Sequence, residues 1–422
     1  MNRKKAFRLF MASVACFMIL GCSKKEENKT EIKEENSIQR EDDGLVNLKI
    51  WVENSKIRSV QECINSFKEN YKQDAQFEIT IEERSPGDIS ASLLKDIHNG
   101  ADVFIFADDG LRPLVAGGGI DLVEDKNNIM NTYTEESVST VTINDNYYAY
   151  PLSADNGYIM YYDKRYFSAK DLETMDGILA VAEKEKKQVM MDLGSGWYLY
   201  SFFGNTGMSL GINDDGVTNY CDWNKTEGKI TGAEITKSIL KITKNPSFIC
   251  TGNGGLMDGF RNGTIIAGIN SVGDAKEIQN ILGKNFGAIK LPTYTCAGEQ
   301  VQMASFIGYR LVGVNYYSKE KEWAHKLAEW ITNEESQMTF LNNNDQAPTN
   351  QQVGTSEVVK NSLAIIAQNE QSQYAQLQRV GGNYWGASWK YGSILASKNP
   401  DNIDYQTLID ELVSGITASI VH

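Results

Sequence analysis

At 422 residues the chain is longer than one hydrophobic core usually serves, so two lobes are expected. An apolar content of 41%, with 20 Tyr and 7 Trp, is that of a globular protein with large half-polar rings for clefts and cores. The formal net charge of −14, with no basic cluster beyond the first residues, argues against a nucleic-acid partner.

Arg3, Lys4, Lys5 and Arg8 precede an apolar stretch, Leu9 to Leu20, too short to span a bilayer. The run Ile19-Leu20-Gly21-Cys22 resembles a bacterial lipobox, although Leu20 is bulkier than the small residue common there. Residues 1–21 are therefore expected to be a lipoprotein signal peptide and Cys22 the lipidated residue, anchoring the protein to the outer face of the membrane. Residues 22–43 are almost entirely charged or polar and read as a flexible tether. The folded body starts near Gly44. It carries Cys63, Cys221, Cys250 and Cys296, which allow three pairings and match no zinc spacing. Cys221 and Cys250 flank one helical segment and are candidates for a bridge.

In the body, Val46, Leu48, Ile50 and Val52 alternate as a strand, and Ile57, Val60, Ile64, Phe67 and Tyr71 follow at helical spacing. A strand through Phe77, Ile79 and Ile81 and a helix through Ile89, Leu93 and Ile97 come next. Asp102 to Phe106 is a continuous apolar run of the kind buried on both faces in a sheet. This alternation predicts an open α/β sheet whose strand ends gather ligands, which places Glu53 and Asp108-Asp109 at such ends. Tyr147 to Phe167 then reads as two aromatic strands interrupted by Ser153-Ala154-Asp155-Asn156-Gly157. Locally this is either a hairpin tip or a crossing between lobes. A second α/β alternation follows, with strands at Val189 to Leu193, Thr264 to Asn270 and Phe286 to Leu291. Ser305 to Val314 is a candidate return crossing, and the remainder is helical, including Lys319 to Thr332 and Trp389 to Ala396. The lobe divisions expected are 44–152 with 308–345, and 153–307 with 346–422.

Histidine chemistry is poorly supported, because His98, His325 and His422 lack metal-spaced partners. No phosphate-cradling loop or nucleophile elbow is present. Asp109 and Asp155 form a conceivable glycosidase pair, but aromatic residues beside small polar groups point to sugar binding without catalysis. Trp197, Tyr198, Trp385 and Phe106 are candidate platforms, with Glu53, Asp109, Asp155 and Asn156 as hydroxyl partners. Trp323 and Trp330, on an amphipathic helix, are assigned to the core.

The segments LKIWVENSK, ADVFIFADDGLRPLVAGGGI, YYAYPLSADNGYIMYYDK, GSGWYLYSFFGNTG, GFRNGTIIAGIN, QVQMASFIGYRLVGVN and SQYAQLQRVGGNYWG, in this order, carry a resemblance across nearly the whole mature chain. They resemble the extracellular solute-binding proteins of ABC sugar importers, the maltose/maltodextrin-binding group found as lipoproteins in Gram-positive bacteria. The resemblance implies a periplasmic-binding-protein-like α/β fold, two lobes joined by a hinge with a ligand cleft between them. It implies a monomer that closes over an oligosaccharide, maltodextrin favoured, and docks on the permease subunits, with no cofactor, no metal and no catalysis. It places Glu53 and Lys56 after the first strand, Phe106 and Asp109 as a sugar-facing pair, Asp155 with Asn156 at the crossing, and Trp197, Tyr198 and Trp385 as stacking rings. Gly110 and Gly273 depart from the best-known maltose binder by removing contacts. Another oligosaccharide or a small cation on the same fold, or a secreted carbohydrate-active enzyme, are the alternatives.

Overall fold

The computed structural model describes residues 44–419. The signal peptide, Cys22, the tether and His422 lie outside the described residues. The strands of the two large sheets, in chain order, are β1 (Leu45–Val52), β2 (Gln76–Glu83), β3 (Val103–Ala107), β4 (Tyr150–Ser153), β5 (Tyr158–Asp163), β6 (Gln188–Met190), β7 (Phe248–Ile249), β8 (Ile265–Ser271), β9 (Phe286–Ile289) and β10 (Arg310–Val314). The first sheet has the order β2-β1-β3-β10-β4 and the second β7-β6-β8-β5-β9. In the first, β1 runs parallel to β2 and β3, while β10 is antiparallel to β3 and β4. In the second, β6 is parallel to β7 and β8, and β5 is antiparallel to β8 and β9.

Each sheet is covered by helices whose apolar stripe the sequence spells out. Helix Ile57–Asn70 buries Val60, Cys63, Ile64 and Phe67, spaced three and four apart. Helix Lys321–Thr332 lays Trp323 and Trp330 on the same cluster, their rings 4.9 Å from Phe77 and 6.1 Å from Phe67. Strand β3 is buried along its whole length, as its apolar run predicted. The second lobe has its own cores, one around Tyr158, Phe203, Trp223 and Tyr384 and a smaller one around Ile159, Leu256 and Phe286. Complete burial of such a side chain contributes about 1.5–3 kcal/mol. Separate clusters are why two sheets form instead of one.

The chain passes from sheet to sheet at the stretch between β4 and β5, so Ser153 to Gly157 is a crossing and not a hairpin tip. The return is sharper than one long strand. Ser305–Ile307 pairs with Ala375–Leu377 in a small parallel sheet, and the chain then enters the first sheet as β10. The two crossing segments lie side by side, with the Asn156 amide donating to the Gly308 carbonyl at 3.3 Å. A third segment joins them: the Ala154 amide donates to Ala347 at 2.8 Å, and Ser153 bridges Pro348. A Cβ on Gly308 would sit 2.7 Å from Asn156 Nδ2 and 2.8 Å from Asp108 Oδ1, so a larger residue here would have to displace one of these side chains. All four cysteines of the body are free, and the candidate Cys221–Cys250 bridge is not formed.

Candidate functional site

Where β1 ends, the backbone tightens into a short turn, Asn54–Lys56, which carries Lys56 back under the crossing. Its ammonium donates to Glu53 Oε1 and to Asp155 Oδ2, each at 2.8 Å. Gln346 Nε2 reaches the same Asp155 oxygen at 2.8 Å, and Ser153 Oγ donates to Oδ1 at 3.1 Å. Arg310, the first residue of β10, stands 3.5 Å from Glu53 Oε1. Burial alone would raise the Asp155 carboxyl, but Lys56 and Arg310 more than offset it and hold it below the usual range. The same opposition, burial against Lys56 and Arg310, leaves Glu53 lowered. Two acids and two bases thus neutralise one another at the crossing. Asp155 already accepts three hydrogen bonds of the roughly four a carboxylate can take, so it has little capacity left for a ligand hydroxyl.

A second set of polar ties joins the lobes beside this cluster. Asp108, held within the first lobe by the Tyr309 amide at 2.9 Å, pairs across with Arg379 at 2.6 Å. Gln378, also from the second-lobe side, donates to Asp109 at 2.9 Å and lies 3.5 Å from Asn156 Nδ2. Next to them an interlobe cavity of about 270 Å³ is lined by Asp109 and Arg112 from the first lobe and by Val217, Arg379 and Gly382 from the second. Of the expected residues, Asp109 lines it.

The aromatic candidates divide. Phe106 points into the first-lobe core, 0% exposed and 5.3 Å from Phe104, so it offers no face to a ligand. That corrects its reading as a platform: β3 is covered on both faces, and every side chain on it is consumed by packing. On the second lobe, Tyr158, Trp197 and Tyr198 form one cluster with ring centroids 4.8–5.1 Å apart. Tyr198 donates its hydroxyl to Asn270 Oδ1 at 2.8 Å, which Asn253 and Asp274 hold in turn. Trp197 is half-buried, and its Nε1 is a buried donor without an acceptor. Leaving such a donor unpaired costs about 1–3 kcal/mol, and the indole N–H of Trp223, wholly inside the core, is left in the same way. Trp385 lies in the first turn of helix Asn383–Ala396, 36% exposed and edge-on to Tyr384 at 5.1 Å. The sequence pattern began that helix six residues later.

Arg310, Gln346, Gln378 and Arg379 were not foreseen. For Arg310 a signal existed, a charge opening an apolar strand at an expected crossing; the others are polar loop residues with no local mark. Among the described residues, no group of three or more His, Cys, Asp or Glu side chains is placed to hold a metal ion.

Residues 64–367 match the family described as bacterial extracellular solute-binding protein. The chain belongs to that family. Among relatives of this solute-binding protein, a galactooligosaccharide-binding protein of Bacillus subtilis (strain 168) is 23% identical over 388 residues, covering 89% of this chain and 88% of the relative. A structure solved with acarbose is 25% identical with a TM-score of 0.79, covering 89% of this chain and 99% of that one. A maltodextrin-binding protein of L. casei BL23, solved without ligand, is 23% identical with a TM-score of 0.75 at the same coverage. These likenesses establish the periplasmic-binding-protein-like fold, two lobes, a hinge and a cleft.

Proposed function

We propose that this solute-binding protein is the receptor of an ABC sugar importer, capturing an oligosaccharide between its lobes and delivering it to the permease without chemical change. The observation that carries the reading is the half-buried ring of Trp197, which stands on the same lobe as the exposed ring of Trp385. Rings of this kind accept the C–H face of a sugar, the apolar side of a hydroxylated ring. In this reading the binding residues are Trp197, Tyr198 and Trp385 with Asp109 and Asn156, while Glu53, Lys56 and Asp155 hold the crossing on which the lobes turn. The lobes divide at 44–152 with 308–345 and at 153–307 with the remainder. Cys22 carries the lipid that keeps the monomer at the outer face of the membrane.

The relatives bracket the ligand. Names of similar proteins speak of maltodextrin and of galactooligosaccharide, so α-linked glucose chains lead and galacto-oligosaccharides follow. Calorimetry with both series decides between them. Binding of malto-oligosaccharides with a raised melting temperature is the expected result. Tight binding confined to the galacto series would move the substrate class, and silence toward both would end the sugar reading. Release of shorter products from maltotriose would overturn the receptor reading in favour of an enzyme.

A further inference from the structure

Trp389 is 63% exposed, the highest value among the exposed large apolar side chains of the described residues. It lies four residues after Trp385 on helix Asn383–Ala396, so the two rings share one face, one turn apart. The fold does not use it: the buried stripe of the helix is Tyr384, Ser388, Tyr391, Gly392 and Leu395. The glycines of this helix tell the same story. A Cβ on Gly392 would meet the Leu193 carbonyl at 1.8 Å, so packing demands that glycine. One on Gly386 would meet nothing within 4 Å, although a glycine inside a helix weakens it. Gly386 leaves bare backbone three residues from Trp389, suited to the close approach of a ligand.

This surface continues from the proposed site. The loop carrying Trp197 lies against the helix, where a Cβ on Gly196 would come within 2.6 Å of Ser388 Cβ and one on Gly194 within 4.0 Å of Ser393 Oγ. Trp389 sits on the turn between those contacts. Immediately beyond it, Lys390 pairs with Glu411 at 2.9 Å and ends the apolar strip. One ring's width of apolar surface fits a sugar face and falls far short of a protein interface.

We infer that Trp389, over the bare backbone of Gly386, forms a further sugar-stacking position one helical turn outward from Trp385, engaging units of an oligosaccharide beyond those held in the cleft. This rests on the oligosaccharide reading. The receptor would then favour longer chains. The test is calorimetry of the full chain, Trp389→Ala, Gly386→Ala and Trp385→Ala against malto- and galacto-oligosaccharides of two to six units. Trp389→Ala should weaken the longest bound members by roughly tenfold while changing the disaccharide by less than about twofold. Gly386→Ala should weaken long chains in the same direction while raising the melting temperature, a pairing no purely structural role produces. Equal loss at every length, or none at any length, overturns the inference while leaving the sugar reading intact. A wild-type chain silent toward both series overturns the sugar reading and this inference with it.

Discussion

The crossing and the aromatic wall of the second lobe are built on opposite principles. At the crossing, Glu53, Lys56, Asp155 and Arg310 compensate one another's charge, and most of the hydrogen-bonding capacity of Asp155 is taken by Lys56, Ser153 and Gln346, while Arg310 Nη1 and Gln346 Oε1 are left without a partner. On the wall, Trp197 keeps an unpaired N–H and Trp385 an open ring face. Groups that have spent their capacity on the protein hold it together. A ring face left open to solvent is one that a ligand can engage. A paired charge buried at the crossing is therefore weaker evidence for binding than an open aromatic face.

The largest effect should come from breaking the charged side. Asp155→Ala leaves Lys56 and Arg310 to share Glu53 alone, one buried positive charge in excess, and should cost about 3–5 kcal/mol in chemical denaturation. A loss under about 1 kcal/mol would mean that the cluster is solvated and free to bind sugar. On the other side, Trp385→Ala should weaken oligosaccharide binding more than tenfold and change stability by less than about 1 kcal/mol, since its ring is already partly exposed. Loss of stability without loss of affinity would erase the contrast.

Acid titration sharpens the comparison further. Asp155 and Glu53 have folded-state pKa values below their unfolded ones, which are about 3.9 and 4.3. Their contribution is fully present above the unfolded values and is lost as pH falls through the folded ones. Melting temperature should be insensitive to these two groups from about pH 7 to 5 and drop below about pH 4, less steeply in Asp155→Asn. The smallest effect concerns the thiols. With Cys63, Cys221, Cys250 and Cys296 all free, added reductant should move the melting temperature by less than about 1 °C. A larger shift would show a bridge.

The fold was legible because its signals are local. Alternation in β1, helical spacing from Ile57 to Phe67 and the apolar run of β3 each specify an element without reference to the rest. The crossing was legible only in part. Ser153 to Gly157 was compatible with a hairpin until the sheet assignments of β4 and β5 separated its two arms. The site was less legible still. Phe106 carries an aromatic ring at a strand end, yet orientation within a sheet covered on both faces decides whether a ring is platform or core. Gln346 and Gln378 act through partners 191 and 269 residues away, and nothing in their own neighbourhood marks them.

Strand β10 enters the first sheet between β3 and β4, after the whole of the second α/β unit has intervened. During synthesis the earlier strands must therefore wait, with a slot in the middle of their sheet, until residues 310–314 arrive. The first lobe cannot close on its own as the chain emerges. Slow completion of this kind keeps the polypeptide unfolded for longer, a useful property for a chain expected to pass through a membrane before it takes its final shape.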